Sequence, residues 1–369
     1  MTFTERYVDT SASGTGDGSV GAPWTITQAA ANAAPGDRVN IKAGTYTLAA
    51  ALSPSANGTR MQPIVYRGYN TAIGDAVAPC VVLDINGVDD HVVTASTAYH
   101  RLQFIAVTGN ANRWKRGFYI SGGHNILYRC SSYQTGLQGF FLHGSGATVI
   151  GCEARSFGAK STTAGFYLGS SRAGAFGCVA RAGTGCGFEL SSVNAGGLVD
   201  CISAGNSTYG VSVPTSGSDA APQWICGCTL WGNGSHGINV GGASSGQPLV
   251  VQNTIFSGNG GYGVAAHAVG KSHATLMGCA FWNNTSGEVD GNVEVFEPWP
   301  RVSPDGDPLV DAAGGDFRMS PEGVALLGAG CPAQFLYEGV LTSWTGYPDI
   351  GAVQQAVRPV VNPAWWGAI

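Results

Sequence analysis

The feature of this sequence that most limits its fold is a cysteine that returns at a nearly constant interval. Short segments of the sequence align with one another when their cysteines are placed in one column. In one segment a threonine stands in place of the cysteine. The column holds Cys130, Cys152, Cys178, Cys201, Cys228, Thr254 and Cys279, so the interval varies between 22 and 27 residues. A period of this length is typical of proteins built from stacked structural repeats.

A second column changes its spacing in step with the first. It holds a glycine followed by an apolar residue, at Gly117-Phe118, Gly139-Phe140, Gly165-Phe166, Gly187-Phe188, Gly210-Val211, Gly237-Ile238 and Gly263-Val264. Each repeat contains short segments of alternating polarity between turn residues, without a sustained 3.6-residue period. The repeats therefore predict an all-β chain whose short parallel strands stack coil on coil, about 4.8 Å apart.

The composition supports β-structure and excludes several classes of protein. Charged residues form 11% of the chain, against about 25% in typical soluble domains, whereas 57 residues are glycine. Apolar residues amount to 44%, which argues against disorder. The net charge of −5 is not accompanied by any run of Lys or Arg. We therefore expect no nucleic acid as a partner, because neutralising phosphates requires clustered cations.

The cysteines and asparagines of the repeat are interpreted as scaffold. No apolar signal segment opens the chain and no stretch of 18 apolar residues follows, so we expect neither export nor membrane insertion. Reduced cysteines stacked in a dry core behave as small apolar side chains, and adjacent copies cannot surround a metal tetrahedrally. We therefore expect no metal site at the cysteines. A second predicted ladder contains Asn110, Asn206, Asn233, Asn259 and Asn284.

The opening of the chain resembles that of the right-handed parallel β-helix superfamily, which includes pectate-lyase-like proteins and phage tailspikes. An extended segment precedes a helical stretch at about 25–34, then Pro35-Gly36-Asp37 and a strand ending at Gly44-Thr45-Tyr46. The resemblance implies a right-handed parallel β-helix with a short N-terminal capping helix and an irregular C-terminal cap. We divide the chain into a cap (1–45), coils (46–297), and a final coil with C-terminal cap and tail (298–369).

The resemblance also implies what catalysis would require. Lyases of the superfamily typically hold Ca²⁺ in a carboxylate cluster, and its hydrolases use paired carboxylates. Few acids occur in the coils between 100 and 280, namely Glu153, Glu189, Asp200 and Asp219. We expect no cofactor, except Ca²⁺ if the protein is a lyase. The sharpest catalytic candidate is Asp89-Asp90-His91, which could bind a cation or share a proton; a solvated turn is the alternative.

Residues that face outward from the coils should carry the function. Tyr119, Phe141 and Tyr167 follow one another in successive coils, which is typical of a subunit interface or of a surface on which sugar rings stack; a plain surface is the third interpretation. Further candidates lie in a second outward column, in a turn and near the chain end: Arg155, Arg181, Trp231, Trp282, Arg113, Trp114, Trp365 and Trp366. The last two cover the final coil or dock on another subunit.

These features favour binding to a partner or ligand over catalysis. We predict a structural or recognition subunit of a phage particle: a β-helical spike, fibre or decoration protein located in the virion. We expect a homotrimer that contacts other virion proteins through its termini and binds a polysaccharide of the host surface. The alternative is a polysaccharide lyase or glycoside hydrolase of the pectate-lyase-like group.

Overall fold

Parallel strands dominate the computed structural model of the protein. It describes residues 2–109, 111–159, 163–191, 196–214, 223–241, 249–266, 272–331, 334–337, 340–343 and 350–352. The chain divides into two compact units, residues 1–192 and 193–369. Within each unit, each coil contributes short strands that pair in parallel with those of the next coil. The predicted all-β, right-handed parallel β-helix is confirmed.

Three parallel sheets, named here by the order of their strands within a coil, form each unit. Sheet A contains Thr4–Val8, Asp37–Lys42, Ile64–Tyr69, His100–Gln103, Ile126–Tyr128, Thr148–Ile150 and Gly174–Phe176 in the first unit, and Gly197–Val199, Gln223–Cys226, Leu249–Gln252, Ser272–Met277 and Val293–Trp299 in the second. Sheet B contains Gly44–Thr47, Val81–Asp84, Ile105–Thr108, Ser131–Tyr133, Glu153–Arg155 and Val179–Arg181, and then Ile202–Ala204, Thr229–Trp231, Ile255–Ser257 and Ala280–Trp282. Sheet C contains Val93–Ala95, Phe118–Ile120, Phe140–Leu142, Phe166–Leu168 and Phe188–Leu190, and then Val211–Val213, Ile238–Val240, Tyr262–Ala266 and Gly287–Val289.

The glycine–phenylalanine column forms the inner face of sheet C in the first unit. Phe118, Phe140, Phe166 and Phe188 have no exposed surface, and their rings stack at centroid distances of 4.8, 4.6 and 5.0 Å. The glycine before each ring leaves room for the core: a Cβ on Gly165 would lie 2.8 Å from the Phe157 ring. The outward residues of the same strands therefore occupy fixed positions one coil apart.

The cysteine column lies in the core of each unit, as predicted. Cys130, Cys152, Cys178, Cys201, Cys228 and Cys279 are buried, and they are thiols rather than disulfides. Their thiols donate to backbone carbonyls; Cys152 Sγ, for example, lies 3.5 Å from Leu127 O. Burial raises the pKa of Cys152 well above its usual value. These thiols are packing groups rather than nucleophiles.

The asparagine ladder is confirmed in the second unit. Asn233 Nδ2 donates to Asn259 Oδ1 at 3.0 Å, and Asn259 Nδ2 donates to Asn284 Oδ1 at 2.8 Å. Asn206 Nδ2 donates in the same way to Asn233 Oδ1 at 3.1 Å. Asn110 lies outside the described residues. Each amide therefore holds its coil to the next through buried hydrogen bonds.

Both ends of the chain add non-coil structure. The predicted capping helix is Ile26–Asn32, which begins after a capping box formed by Thr25 and Gln28. Near the other end lie the antiparallel strands Leu309–Asp311 and Asp316–Met319, a 3₁₀ helix at Glu322–Leu326, and a hairpin of Gln334–Tyr337 with Val340–Ser343. Among the described residues, no helix is long and apolar enough to cross a membrane.

The C-terminal segment packs on the outer face of sheet B in the second unit. Its buried residues Leu309, Phe317, Met319, Leu326 and Ile350 form one apolar cluster with Ala204, Ile255 and Ala280. A backbone bond from Gly351 N–H to Asn253 O at 2.8 Å attaches the same segment to the β-helix, and a bond from Ile350 N–H to Leu326 O at 3.1 Å lies within the segment. The chain thus covers this part of its own β-helix.

Candidate functional site

The outer face of sheet C in the first unit carries a stack of four aromatic rings, which we call the ring ladder. Phe141 pairs in register with Tyr119 on one side and Tyr167 on the other, and His91 extends the stack beyond Tyr119. From His91 to Tyr167 the centroid distances are 4.9, 5.4 and 4.5 Å, with planes within 12° of parallel. Because the faces of the inner rings cover one another, a ligand meets their edges and the tyrosine hydroxyls.

Arg116 adds a cation to the ring ladder. Its guanidinium carbon lies 4.0 Å from the centroid of Phe141 and 5.3 Å from that of Tyr119, and its Nε donates to Gln138 Oε1 at 2.8 Å. Burial lowers the pKa of Arg116 from its usual value, but an arginine keeps its charge at neutral pH. The ladder therefore holds a fixed positive charge against its ring surfaces.

His91 has a defined protonation state in this structure. The backbone N–H of Arg116 donates to His91 Nδ1 at 3.0 Å. Burial, together with the cations of Arg116 and Lys115, lowers the pKa of His91 to about 4. A neutral imidazole that accepts at Nδ1 carries its proton on Nε2. His91 is therefore a hydrogen-bond donor at neutral pH, not a base.

The residues of the Asp89-Asp90-His91 triplet, predicted as a catalytic candidate or a solvated turn, have different contacts in the structure. The carboxylate of Asp90 accepts from the N–H groups of His91 and Ala51 at 2.8 and 3.1 Å, so it caps a turn. Asp89 is exposed, and the His91 ring lies on Tyr119 instead. The two aspartates therefore lie in a turn, whereas His91 belongs to the ring ladder.

A carboxyl group lies at the far end of the ladder. Glu189 pairs in register with Tyr167, and burial raises the pKa of its carboxyl group. The Tyr167 hydroxyl donates to Ser191 Oγ at 2.9 Å. Arg116 therefore supplies a positive charge beside the two middle rings, and a carboxyl that resists ionisation lies at the end of the ladder next to Tyr167.

The other predicted residues of the first unit lie outside the ring ladder. Arg113 Nε donates to Gly87 O at 2.7 Å from an exposed turn, in which Trp114 is 64% exposed. Arg155 and Arg181 are register partners on the outer face of sheet B. Arg155 is exposed, whereas Arg181 forms an ion pair with Glu153 at 2.7 Å.

The predicted tryptophans of the second unit and the tail have different outcomes. Trp231 packs edge-to-face on Phe317, at a centroid distance of 6.4 Å, against the apolar cluster of the C-terminal segment. The C-terminal segment therefore packs on part of this outward ring, which remains half-buried. Trp282 is half-buried two coils further along the same column. Trp365 and Trp366 lie outside the described residues.

Sequence reasoning missed the polar groups that complete the ladder. Arg116, Gln138 and Glu189 were not among the predicted site residues. A usable signal existed for the first two, because Arg116 and Gln138 immediately precede Gly117 and Gly139 of the repeat. Residues in equivalent positions of adjacent coils lie next to one another, so their side chains can pair.

A calcium site of the lyase type does not fit these residues. Ca²⁺ requires about six to eight oxygen ligands, several of them carboxylates. Across the described part of the chain, no group of three or more His, Cys, Asp or Glu residues could hold a metal ion. The ring ladder therefore offers hydrogen-bond donors, ring edges and one cation, which suit binding of an oxygen-rich or anionic ligand.

Comparison with known proteins places the chain in a family. Residues 6–293 match the family model described as the Pel9A-like, right-handed β-helix region. The chain belongs to the Pel9A-like β-helix family. A comparison with curated proteins finds no match.

Solved structures similar to this Pel9A-like chain include two lyases and a viral protein. Pectate lyase Pel9A superposes with a TM-score of 0.72 at 19% identity, covering 96% of each chain. A rhamnogalacturonan lyase gives 0.65 at 15% identity, covering 87% of this chain and 94% of its own. ORF18 of Geobacillus virus E2 gives 0.58 at 14% identity, covering 80% of this chain and 60% of its own. At these identities the matches establish a shared fold.

Proposed function

We propose that this Pel9A-like protein binds an acidic polysaccharide of a host cell surface, as a recognition subunit of a phage particle. The observation that carries the proposal is Arg116, held against Tyr119 and Phe141 with its Nε bonded to Gln138. A cation fixed beside ring edges and hydroxyl groups suits a carboxylate-bearing sugar, because both charge and hydrogen bonds are satisfied without reordering the site.

Two observations support recognition over cleavage. The imidazole of the ladder is held as a donor, and abstraction of a proton from a sugar requires a base. The carboxylates of the described residues do not form a metal cluster of the kind that lyases of this fold use. Binding without turnover is therefore the function that this surface performs best.

The alternative function is polysaccharide lyase activity. Membership of the Pel9A-like family and the fold shared with a pectate lyase and a rhamnogalacturonan lyase favour it. In this alternative Arg116 neutralises the carboxylate of a uronate, which makes the proton on the neighbouring carbon more acidic, and a tyrosine of the ladder serves in proton transfer.

One experiment separates the two functions. The protein is applied to an array of acidic and neutral polysaccharides, and every retained polysaccharide is then incubated with it while ultraviolet absorbance of unsaturated ends and new reducing ends are measured, with and without Ca²⁺. Recognition predicts retention of an acidic polysaccharide that stays intact, and loss of retention in Arg116→Gln. Arg113→Gln, on the exposed turn, is the matched control that should bind normally. Cleavage would establish the alternative instead.

The place in a virion and the trimeric state belong to the same proposal. The shared fold with ORF18 of Geobacillus virus E2 is consistent with a viral protein. A side-by-side trimer would present three ring ladders to a repetitive glycan, which raises avidity without new contacts. Sedimentation of the full chain at micromolar concentration should give a trimer; a monomer at all concentrations would contradict this part.

A further inference from the structure

A second stack of rings lies in the second unit, at the edge of sheet C. It contains Tyr209, His236 and Tyr262, one from each of three successive coils, and we call it the second-unit stack. The centroids of Tyr209 and His236 are 5.8 Å apart with planes at 5°, and those of His236 and Tyr262 are 6.0 Å apart at 26°. All three side chains are half-buried, so their outer edges meet solvent.

The imidazole in this stack is held in one orientation and one tautomer. The backbone N–H of Tyr262 donates to His236 Nδ1 at 3.0 Å. A Cβ on Gly261 would lie 2.4 Å from the same nitrogen, so only glycine leaves room for the ring there. Since Nδ1 accepts, the neutral ring carries its proton on Nε2. His236 is therefore a preorganised hydrogen-bond donor.

The same arrangement occurs at the equivalent position of the ring ladder. Val93 pairs with Phe118, and Ile238 pairs with Val264. His91 lies two residues before Val93 and accepts from the backbone N–H of Arg116, which lies two residues before Phe118. In the same way, His236 lies two residues before Ile238 and accepts from the backbone N–H of Tyr262, which lies two residues before Val264. A stacked histidine with a fixed tautomer is thus used twice, once in each unit.

The surroundings of the two imidazoles differ in charge. The cations of Arg116 and Lys115 and the carboxylate of Asp90 act on His91, which leaves a net positive charge there, whereas the carboxylate of Asp290 acts on His236. An acidic ligand is therefore favoured beside His91 and disfavoured beside His236.

Small residues lie on the turn side of the second-unit stack. Ser207, Gly234 and Gly260 are exposed there, and Thr208 and Ser235 are half-buried. Backbone bonds from Gly234 N–H to Asn206 O and from Gly260 N–H to Asn233 O hold these turns one above another at 2.8 Å each. The turns thus form a row of small residues beside the ring edges, which we call the shelf.

We propose that the second-unit stack and its shelf form a binding site for an uncharged sugar residue. Sugars bind to a rigid array of aromatic edges and hydrogen-bond donors at a low entropic cost. His236 Nε2–H and the hydroxyls of Tyr209 and Tyr262 supply the donors, and the shelf leaves room for a pyranose ring. The site is distinct from the ring ladder and binds a different class of sugar.

The test uses the full chain labelled with ¹⁵N at its seven histidines. Neutral gluco-, manno- and galacto-oligosaccharides are titrated to millimolar concentration, and oligogalacturonate and alginate oligosaccharides are titrated in parallel. His236→Phe, which retains a ring in the stack, assigns the His236 signals. We expect a neutral oligosaccharide to shift the His236 Nε2 signal and leave that of His91 unchanged. Tyr209→Ala should weaken the binding about tenfold, and Tyr209→Phe should weaken it less.

The outcomes separate this inference from the proposed function. If none of the neutral oligosaccharides shifts His236, or if the acidic ones shift it equally, the second site is disproved. A shift of the His91 signal by an acidic oligosaccharide tests the ring ladder independently in the same spectra. The titrations of the unmodified protein retain their meaning even if a variant fails to fold.

Discussion

At the scale of single residues, hydrogen bonds within the coils decide which groups remain available for contact. The carboxylate of Asp90 is occupied by two backbone N–H groups, and the Nδ1 atom of His91 is occupied by a third. An aspartate pair next to a histidine suggested a catalytic group, but the Asp90 carboxylate accepts hydrogen bonds within its turn and the His91 ring stacks on Tyr119. Local hydrogen bonding of Asp side chains to nearby backbone is the physical reason.

Arg116 should bind an acidic glycan by geometry as well as by charge. We expect Arg116→Lys to retain only part of the affinity, because an ammonium group cannot lie flat on Phe141 while donating to Gln138. The loss should be about tenfold, measured by calorimetry with the polysaccharide identified on the array. Equal affinity of the lysine variant would show that charge alone matters.

The folded state should lose stability in mild acid through His91. Its pKa is about 4 in the folded protein, below the usual value of 6.5. Between these two values the unfolded chain binds a proton that the folded chain does not, so stability is full above the usual pKa and falls as the pH decreases towards 4. Urea unfolding over this range should show that decrease.

The matched variant for this measurement is His91→Phe, which keeps a ring stacked on Tyr119 and cannot titrate. Its stability should depend less on pH than that of the wild type across the same range. Identical slopes for the two proteins would mean that His91 titrates normally when folded.

At the scale of elements, the repeated columns differ in how the equivalent side chains of adjacent coils interact: some form hydrogen bonds, and others only pack. The inner phenylalanines of sheet C pack face to face, and the asparagines of the second unit form a continuous hydrogen-bonded series. The sequence predicted both columns because equivalent residues of adjacent coils recur at the repeat period. The same rule placed Tyr119, Phe141 and Tyr167 in successive coils on the outward face, and the structure adds that their ring faces cover one another and are hidden from a ligand.

Asn233 should be essential to the second unit. Its Oδ1 accepts from Asn206 Nδ2, and its Nδ2 donates to Ser203 O and Asn259 Oδ1. Asn233→Ala leaves these buried groups without a partner, at about 1–3 kcal/mol for each unsatisfied group. Chemical unfolding should show a loss of several kcal/mol. Asn292→Ala, on an exposed turn, should cost less than about 0.5 kcal/mol.

At the scale of the whole molecule, sheet B changes character between the two units. Its outer face carries Arg155 and Arg181 in the first unit, but Trp231 and Ile255 in the second, where the C-terminal segment covers it. Apolar outward residues thus mark a face that the chain buries itself, and charged ones mark a face left to solvent or to a partner.

Removing the apolar contact of the C-terminal segment should expose this face. Phe317→Asp places a charge against Trp231, so we expect the segment to detach and a hydrophobic dye to bind. Limited proteolysis should then cut within residues 303–331. Val310→Asp, at a position that is 49% exposed on the paired strand, is the control and should leave both measurements unchanged. Dye binding by neither variant would mean that the segment is held mainly by its backbone bonds.

The sequence by itself determined the coil architecture, the buried cysteines and asparagines, and which residues alternate inward and outward. These follow from a periodicity that every coil repeats, because stacked coils place equivalent residues one above another. Only the tertiary structure decided that His91 joins Tyr119, Phe141 and Tyr167, that Arg116 lies against their rings, and that the C-terminal segment packs on Trp231. Those contacts depend on rotamers, turn conformations and a segment distant in sequence, none of which a repeat period specifies.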